Sequence, residues 1–128
     1  MSAAPPAPRV LLVDDNHGFR HELRLLLEDC GIEVVAEGEN GREAVELASS
    51  TDADVVLMDL RMPVMDGLEA ARALRDRAPA LPVIILSAYE DPALKSEAVA
   101  ANAYAYLVKG CAGGLVLDTI EQAFQATR

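Results

Sequence analysis

Five short apolar runs alternate with five amphipathic segments along the chain, and this alternation constrains the fold more than any other feature. The first, third and fourth runs are apolar at every position, over residues 10–13, 55–58 and 83–86. A strand that is apolar on both faces must be covered on both, which is typical of a parallel sheet packed between helices. The sequence therefore predicts an α/β fold with five parallel strands and helices on both faces.

The amphipathic segments predict the five helices. Two of these helices carry weaker sequence signals than the others. The fourth, from about Asp91 to Ala101, offers only Leu94, Ala98 and Val99 as sizeable apolar contacts. The last, predicted over 115–124, follows Gly113 and Gly114, and two glycines in place of a capping residue should fray its first turn.

Composition excludes several classes of function. The 128 residues contain 11 Lys plus Arg against 21 Asp plus Glu, a formal charge of -10. This balance argues against binding to a nucleic-acid backbone by this chain itself, and it equally disfavours an anionic membrane surface. No apolar run approaches the roughly 20 residues of a membrane span. Residues 1–8 lack the features of a secretory signal, so we expect a cytoplasmic protein with reduced thiols. These eight residues are predicted to form a flexible leader, and residues 9–128 to form one domain.

Polar side chains follow four of the five apolar runs, at the point where each run ends. Asp14 and Asp15 follow the first run, Asp59 the third, Ser87 the fourth and Lys109 the fifth. The carboxyl ends of parallel strands lie at one edge of a sheet, where open α/β sheets bind their ligands. If the first and third strands are neighbours, three carboxylates, a hydroxyl and an ammonium meet there.

Three carboxylates in one crevice need a compensating charge. Two like charges about 4 Å apart repel by about 4 kcal/mol at an effective dielectric constant near 20, and one lysine does not balance three acids. Oxygen ligands with open positions suit a hard divalent ion, of which Mg²⁺ also recruits phosphate oxygens. The alternative is that these acids are ordinary loop residues, with Asp15 acting as the N-cap of the first helix.

Five motifs in order give the chain a resemblance to a known family, the receiver domains of bacterial two-component response regulators. The resemblance covers residues 9–128 and is strongest to the NarL/LuxR-type regulators, in which Asp-Leu-Arg-Met-Pro and Asp-Gly-Leu-Glu-Ala are common. It rests on Leu-Leu-Val-Asp14-Asp15, Val-Val-Leu-Met-Asp59-Leu-Arg-Met-Pro63, Met-Asp66-Gly67, Ser87-Ala88 and Tyr106-Leu-Val-Lys109.

The resemblance implies a metal-assisted phosphoacceptor site. Asp59 is then the phosphoacceptor, and Mg²⁺ is held by Asp15, Asp59 and the backbone carbonyl of Arg61, with Asp14 acting partly through water. The family resemblance also implies a flavodoxin-like fold with strand order 2-1-3-4-5.

The same resemblance assigns the remaining polar residues and the partners. Ser87 and Lys109 would contact the phosphoryl oxygens, and Tyr106 would change rotamer on phosphorylation, although a tyrosine in this position is also an ordinary half-buried strand residue. A sensor histidine kinase would donate the phosphoryl group. The chain would be a signalling switch that assists only its own phosphorylation and dephosphorylation. A homodimer could form through the face of the fourth helix, fifth strand and last helix, and DNA would be bound only through an effector domain outside this chain.

Two other functions would also suit an α/β fold with an acidic edge, and the residues argue against both. A Mg²⁺-dependent phosphatase with an aspartyl nucleophile needs Asp-x-Asp after the first strand, which this chain lacks. A flavodoxin-like electron carrier needs a phosphate-binding loop there, and Asp14 and Asp15 would repel the cofactor phosphate. The chain departs from the family in having Gly110 where proline is usual, so a trans bond is expected, and Asn102 where glycine is common, which tolerates a left-handed backbone.

Overall fold

The computed structural model describes residues 7–127 and contains one five-stranded sheet in which every neighbouring pair of strands is parallel. The strand order β2-β1-β3-β4-β5 confirms the predicted fold class and order. In chain order the elements are β1 (Arg9–Val13), α1 (His17–Asp29), β2 (Glu33–Gly38), α2 (Gly41–Ser50), β3 (Val55–Met58), α3 (Gly67–Arg77), β4 (Val83–Ser87), α4 (Pro92–Ala100), β5 (Ala105–Val108) and α5 (Gly113–Ala126).

The predicted leader lies mostly outside the described residues, since residues 1–6 are not among them. Pro8 is buried, and its carbonyl accepts a hydrogen bond from the backbone N–H of Glu33 at 3.3 Å. Within the part of the chain that is described, no helix combines the length and the apolar character that crossing a membrane requires.

Each face of the sheet carries its own apolar cluster, as alternation along the strands requires. Leu11, Val56 and Ile85 point into the cluster closed by α2, α3 and α4. Their neighbours along the strands, such as Leu12 and Leu57, point into the cluster closed by α1 and α5. The three inner strands β1, β3 and β4 are therefore covered on both sides, which is why their sequences show no polar alternation.

Four helices begin at a side-chain cap. Asn16 accepts from the N–H of Phe19 at the start of α1, and Asn40 caps α2 in the same way. Asp66 caps α3 in a full capping box with Glu69, and the N-cap of α4 is Asp91. The cap of α1 is thus Asn16, so the alternative that Asp15 is the helix cap is wrong; a one-residue difference decides which side chain faces the free N–H groups.

Helices α4 and α5 each differ from the prediction in one respect, α4 in which residue is buried and α5 in where it begins. In α4, Val99 is 67% exposed and Ala98 is the buried contact, because Val99 falls on the outer face of this short helix. In α5 the helix begins at Gly113, two residues before the predicted start, although no side chain caps it. The left-handed backbone predicted for Asn102 is confirmed, with φ at 67°. No cis peptide bond occurs between residues 7 and 127, so the Lys109–Gly110 bond is trans.

The N-terminus of α3 packs directly against the segment that follows β3. The N–H of Gly67 donates to the carbonyl of Leu60 at 2.7 Å. A methyl group on Gly67 would overlap the backbone carbonyl oxygen of Asp59 and lie 3.0 Å from the Cα of Leu60. Backbone atoms cannot rotate away as a flexible side chain can. Glycine at this position therefore permits the close approach that fixes the backbone of Asp59.

We expect Gly67→Ala to lower the free energy of unfolding by about 2–3 kcal/mol, as overpacking against backbone does. The control is Gly114→Ala in the first turn of α5, where a Cβ would meet nothing within 4 Å. Alanine is the better helix former, so this control should be neutral or stabilising by up to about 1 kcal/mol. Urea denaturation of the two variants measures both effects, and equal stabilities would contradict the packing argument.

Candidate functional site

Three carboxylates meet at the carboxyl edge of the sheet because β1 and β3 are hydrogen-bonded neighbours. Asp14 follows β1 directly and Asp59 follows β3, and both are buried, at 2% and 8% exposure. Asp15 is exposed beside them. One carboxylate oxygen from each of Asp14, Asp15 and Asp59 lies within 4.8 Å of the other two.

Lys109, at the end of β5, brings one cation into this cluster. Its Nζ lies 2.7 Å from Asp14 Oδ2 and 3.5 Å from Asp59 Oδ2. The same Nζ lies 4.4 Å from the centroid of the Phe19 ring, so α1 supplies an aromatic face that the ammonium also contacts. One ammonium against three carboxylates leaves the cluster with an excess of negative charge.

Backbone amides hold one oxygen of each buried carboxylate. The N–H of Asn16 donates to Asp14 Oδ1 at 2.9 Å, and the N–H of Leu60 donates to Asp59 Oδ1 at 2.8 Å. Asp14 Oδ2 takes the short contact with Lys109, whereas Asp59 Oδ2 has the long one. Asp59 Oδ2 is therefore the less engaged oxygen of the two buried acids.

The environment of Asp59 disfavours its charged form. Burial raises the pKa of the Asp59 carboxyl, and the negative charges of Asp14 and Asp15 raise it further. Lys109 and the N–H of Leu60 oppose these effects without cancelling them, so the pKa stays above its ordinary value. Relief of this repulsion is available to any cation that binds the free oxygens.

The donor set fits a hard divalent ion. Carboxylate oxygens with room for water are the ligands that Mg²⁺ prefers, and three of them converge here beside the Lys109 ammonium. Asp14, Asp15 and Asp59 could hold such an ion. The participation of the Arg61 carbonyl stays a prediction.

Ser87 and Tyr106 both contact the loop that joins β4 to α4. Ser87 is fully buried, and its Oγ accepts from the N–H of Tyr89 at 3.1 Å. The hydroxyl of Tyr106 donates to the carbonyl of Tyr89 at 2.5 Å. The guanidinium of Arg61, in the loop after β3, lies 5.2 Å from the centroid of the Tyr89 ring. Ser87 and Tyr106 are therefore linked to the same loop through Tyr89.

Arg20 is a buried residue beside the site that was not predicted from the sequence. It lies on the inward face of α1 with Leu23 and Leu27, is 6% exposed, and its Nη1 donates to the backbone carbonyl of Asp14 at 2.6 Å. The available signal was its position: residues 20, 23 and 27 share one helical stripe, and an arginine in an apolar stripe calls for a buried acceptor.

Comparison with known proteins gives one family. The model of the response regulator receiver domain family matches residues 10–121. The transcriptional regulatory protein YdfI of Bacillus subtilis is 36% identical over 118 residues, which are 91% of this chain and 55% of YdfI. The chemotaxis protein CheY of Listeria monocytogenes is 36% identical over 115 residues, which are 90% of this chain and 97% of CheY.

A solved structure extends the similarity to the NarL/LuxR type. The signal receiver domain of the response regulator NarL from Mycobacterium tuberculosis superposes with a TM-score of 0.85 at 31% identity, covering 96% of this chain and 98% of that one. The chain spans about half the length of relatives such as YdfI and nearly all of the chemotaxis protein.

We expect Asp59→Asn to raise the free energy of unfolding of the metal-free protein by about 1–2 kcal/mol at about pH 7, because it removes a buried charge from the cluster. The folded-state pKa of Asp59 lies above its unfolded value, so the unfolded chain releases this proton first. The wild-type protein therefore loses stability as the pH rises from about 4 through the raised pKa.

The gain from Asp59→Asn should disappear below about pH 4, where both states carry the proton. Urea denaturation with a chelator present, at both pH values, measures the difference between variant and wild type. A variant that is less stable than the wild type at neutral pH would contradict the repulsion argument.

Proposed function

The chain belongs to the response regulator receiver domain family, and from that premise we propose that it accepts a phosphoryl group on Asp59 and thereby changes its signalling surface. The observation that carries the proposal is the setting of Asp59. Its carboxylate is buried beside two further acids, one of its oxygens makes only a 3.5 Å contact with Lys109, and the cluster is short of positive charge.

The phosphoryl donor is proposed to be a phosphohistidine on a sensor histidine kinase. Asp59 Oδ2 attacks the phosphorus, the P–N bond of the donor breaks as the new P–O bond forms, and the imidazole leaves with its electron pair. Hydrolysis of the acyl phosphate later restores the carboxylate. Such transfer is mainly a matter of positioning and of charge stabilisation, which a site with fixed carboxylates and an ammonium provides.

Asp14, Asp15, Asp59 and the carbonyl of Arg61 are the proposed ligands of Mg²⁺, with Asp14 acting partly through water. When bound, the ion supplies the positive charge that lets an anionic carboxylate and an anionic phosphoryl group approach each other. Lys109 supplies the second cation: its Nζ already lies between Asp14 and Asp59, within reach of a group attached to Asp59.

Ser87 and Tyr106 are the proposed switch residues. The Ser87 oxygen accepts from the N–H of Tyr89, and its hydroxyl donates to no acceptor among residues 7–127. A phosphoryl oxygen at Asp59 would draw this hydroxyl toward the site and alter the loop that Tyr106 holds through the Tyr89 carbonyl. Signalling of this kind makes the chain a switch, with no reaction other than its own phosphorylation and dephosphorylation.

The proposed partners follow from the same premise. The face of α4, β5 and α5 exposes Val99 and Leu115, which supports a homodimer through that face. A net charge of -10 argues against DNA binding by this chain itself, so DNA would be bound through an effector domain of the kind implied by the longer relatives. We expect the exchange with the kinase to take place in the cytoplasm.

Asp59→Asn should abolish Mg²⁺-dependent labelling by a small acyl or amido phosphate donor, because an amide is a far poorer nucleophile than a carboxylate. The matched control is Asp76→Asn on the exposed face of α3, whose carboxylate has only a 3.4 Å contact with Arg75. Intact-protein mass spectrometry counts the phosphoryl groups. Labelling of Asp59→Asn at the wild-type rate would overturn the proposal.

Ser87→Ala should uncouple the β4–α4 loop from phosphorylation. In the wild type, phosphorylation is expected to change the hydrogen exchange of residues 88–91 at least several-fold, whereas in Ser87→Ala the change should be much smaller because the hydroxyl that links the loop to the site is gone. Ser87→Thr retains the hydroxyl and is the control. Equal responses in wild type and Ser87→Ala would exclude this role of Ser87.

A further inference from the structure

A buried arginine, Arg20, donates a hydrogen bond to the backbone of the loop between β1 and α1. The phosphoryl transfer proposed above does not use this residue. We propose that Arg20, anchored by Glu37, is a positioning residue that sets the backbone of Asp14 and Asp15 for metal binding. This inference rests on the proposed function, since it assigns a residue that supports the proposed Mg²⁺ ligands.

The guanidinium of Arg20 joins the loop to β2. Nη1 donates to the carbonyl of Asp14 at 2.6 Å, while Nε donates to Glu37 Oε1 at 3.1 Å. Nη2 lies 3.1 Å from His17 Nδ1. The planar fork of arginine presents donors in fixed directions, so it can hold a carbonyl on one side and a carboxylate on the other at once.

A β-bulge in β2 brings Glu37 to the face where Arg20 lies. Val10 pairs with Val34, but Leu11 pairs with Ala36, so one extra residue is inserted in β2. Beyond this point Glu37 pairs with Leu12, whose side chain points toward α1 and α5. Without the extra residue, alternation would turn Glu37 to the opposite face of the sheet.

The carboxylate of Glu37 is held by two arginines, one at each oxygen. Its second oxygen accepts from Arg24 Nη1 at 2.5 Å. Burial alone would raise the pKa of the Glu37 carboxyl, but the hydrogen bonds from Arg24 and Arg20 outweigh it and the pKa lies below its ordinary value. The carboxylate therefore stays charged under neutral conditions, and Arg20 keeps its counter-ion.

Asp15 is the residue that depends on this arrangement. Its carboxylate makes no hydrogen bond or ion pair with any of residues 7–127, in contrast to that of Asp14. The carbonyl held by Arg20 belongs to the peptide plane that joins Asp14 to Asp15, and a planar peptide fixes where the next Cα lies. The position of the Asp15 carboxylate is thus set through the backbone, and Arg20 is the side chain that holds that peptide.

The test compares two arginines on the same helix that share Glu37. Arg20→Gln removes the contact with Asp14, whereas Arg24→Gln removes an equal charge from a residue that contacts only Glu37 and Glu28. Both variants make the protein more negative, so a purely long-range charge effect would tighten cation binding in both. We expect Arg20→Gln to weaken Mg²⁺ binding about 10-fold, as loss of a residue that orients a ligand does. Arg24→Gln should bind Mg²⁺ as tightly as the wild type, or more tightly.

Isothermal titration calorimetry with Mg²⁺ alone gives the affinities, and amide hydrogen exchange without metal gives an independent readout. In the presence of a chelator, exchange at residues 15–17 should be faster in Arg20→Gln and unchanged in Arg24→Gln. Arg20→Lys keeps the charge but loses the planar fork of donors, so it is expected to weaken Mg²⁺ binding by a smaller factor than Arg20→Gln.

The outcomes distinguish a failure of the proposed role of Arg20 from a failure of the proposed function. A wild-type protein that neither binds Mg²⁺ nor is labelled on Asp59 overturns the proposed function. A wild type that does both, with Arg20→Gln matching it in affinity and exchange, overturns only the role of Arg20. Should Arg20→Gln fail to fold, Arg20→Lys decides, because it keeps the wild-type charge: weaker Mg²⁺ binding than in the wild type supports the inference, and equal binding overturns it.

Discussion

The central constraint on this molecule is the mutual repulsion of three carboxylates that the sheet brings together. A parallel sheet delivers the ends of all its strands to one edge, and the adjacency of β1 and β3 puts Asp14 and Asp59 side by side there. The ammonium of Lys109 offsets part of the repulsion, whereas burial of Asp59 further disfavours its charged form. The surrounding structure must therefore hold the acids in place against a force that would otherwise separate them.

That restraint comes from backbone contacts as much as from side chains. The amide of Asp59 donates to the carbonyl of Val13, and the amide of Asp14 donates to the carbonyl of Gly38. Gly67 lets the start of α3 press on the segment after Asp59. On the other side, Arg20 ties the carbonyl of Asp14 to Glu37. Each acid is thus fixed through a rigid neighbour, which is the preorganisation that charge-based chemistry requires.

Much of this arrangement could be predicted from the sequence, because the features concerned are local. Continuous apolar runs identify buried parallel strands, and a polar residue directly after such a run is at the edge where Asp14, Asp59 and Lys109 are found. The parts that could not be predicted depend on contacts between distant segments. A bulge in β2 is invisible in the composition of residues 33–38, and it decides that Glu37 faces Arg20. The exposure of Val99 likewise depends on which side of α4 meets the sheet.

The loop after β4 connects the end of that strand to the α4–β5–α5 face through two hydrogen bonds of Tyr89. The amide of Tyr89 donates to Ser87 at the end of β4 and its carbonyl accepts from Tyr106 in β5, so one residue links these two strands. A neutral hydrogen bond contributes about 1 kcal/mol, whereas moving a two-state equilibrium from 1:99 to 99:1 needs about 5.5 kcal/mol. Rearranging these two bonds alone therefore leaves a mixture of states. If Asp59 is phosphorylated as proposed, the remainder must come from the charge of the phosphoryl group acting on Lys109, or from a partner that binds one state of the α4–β5–α5 face more tightly.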